Sequence, residues 1–284
     1  MKFGVMYANV GPFGLPDHCA NLARSAEEAG FESLWTVEHV IVPKGYESKY
    51  PYSESGKMPA PEESPIPDPL VWLSFAAAVT KRIRLATGIL ILPQRHPAYV
   101  AKAVASLDQL SAGRALLGVG IGWLEEEFRV LGVPFEERAD RTEESIRALR
   151  DLWSDGPSRF EGKYYRWPDV ESNPKPSQRP GVPIIVGGHA LGAARRAARL
   201  GDGFFPVRPE RLSKLLEVMR EECAAIGRDP GEIEITTGAA PSLDEVKRLQ
   251  DQGVSRVVLP PPGFDMDGVR AGFEKIANEI IEKI

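Results

Sequence analysis

A carboxylate and an imidazole stand side by side at the end of an apolar run, where residues 34–39 read LWTVEH. An imidazole next to a carboxylate can titrate near neutral pH and pass a proton to or from a reacting molecule. Glu38 and His39 are therefore the candidate catalytic residues. Neighbouring residues of a regular strand point to opposite faces, so both side chains reach one site only where the strand ends. The alternative is a structural His39 that bonds to a loop carbonyl.

Glycines mark three later apolar runs and predict a ligand close to the backbone there. An internal glycine in the third run indicates a bulge, and paired glycines before a helix expose N–H groups that suit a phosphate. Three alternating glycines in the fourth run predict a flat slot for a planar ring. The candidate cofactor-binding residues are Thr87, Gly88, Ile89, Gly118, Gly120, Gly122, Trp123, Gly187, Gly188 and His189. Close packing between elements and ordinary tight turns are the alternatives.

The elements that position these residues alternate along nearly the whole chain. Eight short apolar runs rich in β-branched residues span 3–7, 33–39, 83–92, 115–122, 183–188, 203–207, 234–238 and 256–260. Between them lie segments with helical spacing, among them 17–29, 98–110, 141–153, 212–226 and 243–252, and a last helix is predicted over 267–284. Parallel strands need such crossovers, so the pattern predicts an α/β fold, a (β/α)8 TIM barrel formed by one domain over residues 1–284. In that fold the active site lies at the carboxyl ends of the strands.

Two segments interrupt the alternation. Residues 40–68, after the second strand, are rich in proline and carry Tyr46, Tyr50 and Tyr52, which predicts a lid or substrate wall at the strand ends. Tyr7, at the end of the first run, joins these three tyrosines as a candidate substrate-binding residue. A disordered insertion is the alternative for this loop. The second segment, residues 155–183 before the fifth strand, predicts a small hairpin around 161–163 followed by extended chain.

Composition excludes several classes of protein. The net charge of −5 gives no electrostatic footprint for nucleic acid, and no apolar run approaches the ~20 residues that span a bilayer. The two cysteines are far apart, and histidines and cysteines show no metal-ligand spacing, so we expect reduced thiols and no metal. The fourth run departs from G-x-G-x-x-G at Trp123, which disfavours a dinucleotide-binding domain. We expect a cytoplasmic homodimer that acts on a small molecule and contacts neither nucleic acid nor membrane.

Taken in order, these segments resemble the bacterial luciferase-like superfamily of flavin- and deazaflavin-dependent oxidoreductases. The resemblance covers nearly the entire length and rests on 29–39, 84–89, 118–123, 127–128 with 131–132, 183–188 and 198–204. It implies a (β/α)8 barrel with the ring system of the cofactor at the carboxyl ends of the strands. It also implies a non-prolyl cis peptide bond after Gly88, which forms a bulge behind that ring.

Within the superfamily, the chain looks most like the branch that uses coenzyme F420, which implies hydride transfer between F420 and a small organic substrate. In the glucose-6-phosphate dehydrogenase members of that branch, a glutamate that acts as an acid directly follows the fourth-strand glycines, and this chain has Trp123 there. That departure speaks against sugar-phosphate oxidation. Two alternatives are an FMN-dependent monooxygenase on the same fold and a barrel that binds a cofactor without catalysis.

Overall fold

Eight parallel strands close into a barrel with helices on its outer side, as the alternation of runs predicts. The computed structural model describes residues 1–284. Its strands are β1 (Lys2–Val5), β2 (Ser33–Thr36), β3 (Arg84–Thr87), β4 (Leu90–Ile91), β5 (Ala115–Gly120), β6 (Ser158–Glu161), β7 (Arg166–Val170), β8 (Ile184–Gly187), β9 (Gly203–Phe205), β10 (Glu234–Gly238) and β11 (Arg256–Leu259). The barrel follows the order β3-β2-β1-β11-β10-β9-β8-β5, and β5 pairs with β3 to close it. The predicted α/β barrel is confirmed.

The helices follow the barrel strands and cover them. They are α1 (Pro16–Glu28), α2 (Pro69–Val79), α3 (Pro97–Leu110), α4 (Glu125–Val130), α5 (Arg138–Trp153), α6 (Leu191–Leu200), α7 (Leu212–Ile226), α8 (Leu243–Asp251) and α9 (Met266–Glu279). The last helix is shorter than predicted, because α9 ends at Glu279 and only a 3-10 turn at Ile281–Lys283 follows. None of these helices has the length and apolar character that crossing a membrane requires.

The third apolar run, predicted as one strand over 83–92, is divided into β3 and β4. The division lies at the peptide bond between Gly88 and Ile89, which is cis, as the resemblance implies. Strand β5 pairs with β3 on one side of this bulge and with β4 on the other. The barrel therefore stays closed around an irregular strand, and Ile89 is placed at the bulge.

Both surfaces of the barrel wall are buried. The outer core, between strands and helices, contains 56 buried residues. The inner core is small and consists of Met6, Trp35, Ala86, Leu116, Ile185, Phe205 and Val258. The rings of Trp35 and Phe205 meet edge to face at 5.1 Å, so the barrel interior is filled by side chains below the strand ends.

An ion-pair cluster closes the end of the barrel at which the strands begin. Arg256 is fully buried and donates to Glu32 at 2.9 Å and to Glu234. Burial by itself lowers the pKa of Arg256, but the two carboxylates outweigh it and hold the pKa above the ordinary value. This end is therefore occupied by paired charges, and the candidate site residues lie at the opposite end of the barrel, called the mouth below.

The two interruptions have the predicted positions. Residues 40–68 contain no helix or strand and connect β2 to α2. Strands β6 and β7 form the predicted antiparallel hairpin. Its turn is held by Glu144 of α5, which is buried and accepts hydrogen bonds from the backbone N–H groups of residues 163–165. The hairpin is thus fixed to α5 on the outside of the barrel.

Candidate active site

His39 lies just beyond β2 and is oriented by a buried carboxylate from another element. Its Nδ1 lies 3.1 Å from an oxygen of Glu127, and the two side chains are 8% and 0% exposed. A carboxylate only accepts hydrogen bonds, so Nδ1 carries the proton and donates it. This contact leaves Nε2 of His39 free to act on a ligand.

The same carboxylate holds the start of the loop that follows His39. The other oxygen of Glu127 accepts from the backbone N–H groups of Val40 at 2.7 Å and Ile41 at 3.2 Å. The neighbouring Glu126 accepts from the amides of Glu47 and Ser48 further along the loop. Although burial raises the pKa of Glu126, the hydrogen bonds from Ser48 and these amides lower it to about 2. Helix α4 therefore fastens the loop through two successive carboxylates.

Glu38 does not pair with His39, and that part of the sequence interpretation was wrong. Its buried carboxylate accepts from the guanidinium of Arg95, at 2.9 Å for Nε, and from the backbone N–H of Ile91 in β4. Arg95 also donates to Asp68 at 2.7 Å. Burial raises the pKa of Glu38, and Arg95 opposes this shift. Glu38 therefore joins β4, through Arg95 and Asp68, to the end of the long loop.

The alternating glycines of β5 do not leave an open slot, because the bulge in the third barrel strand fills the space beside them. A Cβ on Gly118 would lie 1.9 Å from the carbonyl oxygen of Thr87, and one on Gly120 would lie 2.5 Å from the Ile89 side chain. Thr87 is itself buried and donates to the Gly118 carbonyl at 2.6 Å. The slot prediction was therefore wrong: these glycines accommodate the bulge.

The bulge carries Ile89 over glycines from two neighbouring strands. A Cβ on Gly187, in β8, would lie 2.6 Å from the Ile89 side chain, as one on Gly120 would at 2.5 Å. Ile89 is partly exposed and packs on the inner core. Its side chain is therefore the floor of the mouth. Gly122 turns the chain beyond β5 with a φ of +80°, and a Cβ there would lie 2.6 Å from Phe128. This turn brings Trp123 to the mouth.

The end of β8 offers donors to a ligand. Gly188 has a φ of +132°, a conformation that favours glycine, and α6 begins three residues later at Leu191. His189 Nε2 accepts from the backbone N–H of Arg208 at 2.8 Å, so its Nδ1 carries the proton, and this buried atom has no partner in the protein. Burial, aided by the nearby Arg208 charge, lowers the pKa of His189 to about 4. His189 is therefore neutral at pH 7, with one N–H unsatisfied.

Aromatic rings from the long loop connect the ends of β5 and β8 across the mouth. Tyr50 lies 5.1 Å from Trp123 and 5.2 Å from Tyr52, and Tyr52 lies 4.6 Å from His189, measured between ring centroids. The backbone carbonyl of Tyr52 accepts a hydrogen bond from Arg208. The loop is thus anchored on both sides of the mouth, as expected of a wall and not of a disordered insertion.

The four predicted substrate-binding tyrosines divide into two groups. Tyr46 is 4% exposed, and its hydroxyl accepts from the Met58 N–H at 2.8 Å. Its ring packs edge to face against Trp123, with 5.4 Å between the ring centroids. Tyr50 and Tyr52 are partly exposed, and Tyr7, beyond β1, is 39% exposed. These last three tyrosines line the mouth, whereas Tyr46 does not.

Several residues of the site escape the sequence analysis. Glu127 lies in a run of three glutamates, which is typical of a solvated helix start. The only sequence signal for it is that residues 127–128 belong to the segments that resemble the luciferase-like superfamily. Asn9 is fully buried and bonds to the backbone of Val37 at 2.9 Å through both sides of its amide. Arg95 and Arg208 follow β4 and β9 without any distinguishing motif. Tertiary contacts alone bring these residues together.

Comparisons with known proteins agree with this architecture. A family profile described as luciferase-like monooxygenase matches residues 1–283. The uncharacterized protein Rv0940c of Mycobacterium tuberculosis is 37% identical over 243 residues, covering 84% of this chain and 83% of the relative. A protein named F420-dependent glucose-6-phosphate dehydrogenase, from Kineococcus radiotolerans, is 34% identical over 238 residues, covering 81% of this chain and 65% of the relative.

Solved structures show the same fold over the full length. Monooxygenase RslO1 from Streptomyces bottropensis superposes with a TM-score of 0.79 at 25% identity, covering 100% of this chain and 99% of that one. Coenzyme F420-dependent tetrahydromethanopterin reductase from Methanopyrus kandleri reaches a TM-score of 0.78 at 19% identity, with 99% of both chains covered, and shows the fold alone. Because the profile match extends over residues 1–283, this chain belongs to the luciferase-like monooxygenase family.

Proposed function

We propose that this protein is an oxidoreductase that binds coenzyme F420 at the mouth and transfers a hydride between it and a small organic substrate. The observation that carries the proposal is the pair of imidazoles at the mouth. His189 offers an unsatisfied N–H next to Gly188, and His39 has a free Nε2 opposite its bond to Glu127. The names of relatives such as the Kineococcus radiotolerans protein support F420 as the cofactor.

The residues at the mouth fit such a cofactor. A phosphate would satisfy the buried N–H of His189 and the N–H groups at the start of α6, and Gly188 allows the backbone to approach it. The Ile89 side chain packs over Gly120 and Gly187 and offers an apolar surface for a ring system. Trp123 lies at the same mouth. Thr87 and Gly118 contribute behind this floor by holding the bulge in place.

The chain's own residues supply position and proton transfer. When bound, F420 supplies the hydride acceptor or donor. Neutral His39, with its proton on Nδ1, takes the hydroxyl proton of an alcohol substrate at Nε2 as the carbon is oxidised. In the reverse direction protonated His39 returns that proton to the carbonyl oxygen. Glu38 holds β4 and the end of the long loop in place beside His39, through its hydrogen bonds with Ile91 and Arg95.

An FMN-dependent monooxygenase is the second candidate function. It is favoured by the likeness to monooxygenase RslO1, at a TM-score of 0.79 over the full chain. The apolar floor at Ile89 suits a flavin ring as well as a deazaflavin ring, and the free N–H of His189 suits the phosphate of either cofactor. A barrel that binds a cofactor without catalysis is a weaker candidate, because it gives no reason for the Glu127 contact that orients His39.

The first prediction concerns the choice of cofactor. Titrated side by side into the purified protein, F420 binds more tightly than FMN. The measurement is fluorescence of each cofactor at constant ionic strength. Micromolar binding of FMN without detectable binding of F420 would contradict the proposal and favour the monooxygenase.

The second prediction concerns the phosphate. Gly188→Val places a branched side chain at a φ of +132°, where a Cβ already meets Ala193 at 2.9 Å, and we expect F420 affinity to fall roughly tenfold or more, about 1.4 kcal/mol. Gly253→Val is the matched control, because it also places valine at a positive φ, +90°, with no atom within 4 Å of a Cβ, and it lies before β11 at the end of the barrel opposite the mouth. Thermal midpoints of both variants show whether they are folded. Unchanged F420 affinity in a folded Gly188→Val protein would place the phosphate elsewhere.

The third prediction concerns His39 and the carboxylate behind it. His39→Ala should lower the single-turnover rate by ~10²–10⁴-fold, the usual contribution of a general acid or base, with F420 affinity nearly intact. Glu127→Gln keeps an oxygen for the Val40 N–H but turns an amide N–H toward Nδ1, so the proton moves to Nε2. We expect the rate of this variant to fall in the same direction.

The control for this pair is Glu126→Gln, which alters loop contacts without touching His39. Nitrogen-15 NMR of the imidazole reports the tautomer directly, in the absence of any cofactor. A near-normal rate in folded His39→Ala protein would remove His39 from the mechanism. A tautomer unchanged in Glu127→Gln would mean that Glu127 does not set it.

The fourth prediction concerns assembly as a homodimer, which we propose from an apolar face on α2 and α3. Helix α2 is apolar except for Ser74, and a helix that is apolar nearly all round is normally buried on most sides. Val71 and Phe75 are 70% and 43% exposed, and Tyr99 on the adjoining α3 is 80% exposed. Phe75→Glu places a charge on this apolar face and should therefore convert the dimer into a 31.2 kDa monomer, as measured by sedimentation velocity. Ile226→Glu, at an exposed apolar residue of α7, is the control. A monomeric unmodified protein would contradict the proposal.

A further inference from the structure

We propose that the substrate is an organic anion, held by Arg208 at one side of the mouth, whose flat apolar body lies along Tyr52, Tyr50 and Trp123 toward His39. This inference rests on the proposed function, because it assigns the reacting carbon to His39. It adds a substrate class and a specificity-determining residue, Arg208, that the cofactor proposal does not require.

Arg208 is a cation without a carboxylate partner. It follows β9 and is exposed, and its side chain donates only to the backbone carbonyl of Tyr52. The guanidinium has five N–H donors in a planar fork, so most of them remain available to a ligand. Glu210, two residues further on, lies within electrostatic reach of His189 but forms no ion pair with Arg208.

The groups around Arg208 are hydrogen-bond donors as well. Of the four tyrosines near the mouth, only Tyr46 has its hydroxyl hydrogen-bonded within the protein. Burial raises the pKa values of Tyr7 and Tyr52 despite the opposing charge of Arg208, so both hydroxyls keep their protons at neutral pH. A guanidinium beside protonated phenols, with no carboxylate facing them, matches a carboxylate or phosphate and not a cation.

The rings of the loop define the direction of the substrate. From Arg208 the chain of contacts runs through Tyr52 and Tyr50 to Trp123, with centroid separations of 5.2 and 5.1 Å. Trp123 then meets His39 edge to face at 5.6 Å. These contacts are edge to face, so ring surfaces remain open to a flat apolar body. A substrate with its anion at Arg208 therefore presents its other end to Nε2 of His39.

The test uses benzoate and its neutral analogue benzamide as probes of the protein. Calorimetric titration of the protein without cofactor should show benzoate binding at least tenfold more tightly than benzamide. Arg208→Gln should remove that difference by weakening benzoate about tenfold or more and leaving benzamide unchanged. Arg211→Gln, at the neighbouring arginine, is the control and should leave both affinities unchanged.

Two further measurements distinguish an Arg208 that binds the substrate anion from an Arg208 that binds the cofactor. F420 affinity should be unchanged in Arg208→Gln; a loss of F420 affinity with benzoate unaffected would assign Arg208 to the cofactor and overturn the proposal. Tyr50→Ala should weaken both probes equally, because it removes ring surface and no charge. Equal binding of benzoate and benzamide to the unmodified protein would also overturn it. Since the probes are titrated without cofactor, a failure of F420 to bind contradicts only the proposed function.

Discussion

Two carboxylates buried at the mouth, those of Glu38 and Glu127, constrain the rest of the site. An ionised carboxylate removed from water is tolerated only when charged or N–H groups surround it. Glu127 meets this requirement with the imidazole of His39 and two loop amides, and Glu38 meets it with Arg95 and the amide of Ile91. The position of His39, both ends of the long loop and the end of β4 are fixed by contacts that satisfy these two groups.

The long loop is consequently a built part of the site. Its start is bonded to Glu127, its middle to Glu126 and Arg208, and its end, at Asp68, to Arg95. Asp68 also caps α2 by accepting hydrogen bonds from the backbone N–H groups of residues 70 and 71. This cap fixes the residue at which the loop ends and α2 begins. A segment without helix or strand can be well positioned when its amides and carbonyls find partners on the barrel.

The mouth has two chemically distinct sides. On the side of β2 and β5, the carboxylate of Glu127 fixes the orientation of the His39 imidazole. On the side of β8 and β9, an arginine, an unsatisfied imidazole N–H and tyrosine hydroxyls present donors. Ile89 lies between them on its glycine support. Many chemistries share this barrel, so function must be argued from the residues at the strand ends and not from the fold.

The amino-acid sequence by itself determined the barrel, because the alternation of β-branched runs and amphipathic stretches is a local pattern set by strand and helix periodicity. It also placed His39, the bulge at Gly88 and the glycines before α6 at strand ends. Which groups pair was decided only by the tertiary structure. Glu127 lies 88 residues from His39 and Arg95 lies 57 residues from Glu38 along the chain, and no local pattern encodes such contacts. The same holds for the glycines of β5: their spacing indicated room for a ring, but the neighbouring strand's bulge occupies that room, since packing against residues distant in sequence decides what a missing side chain makes space for.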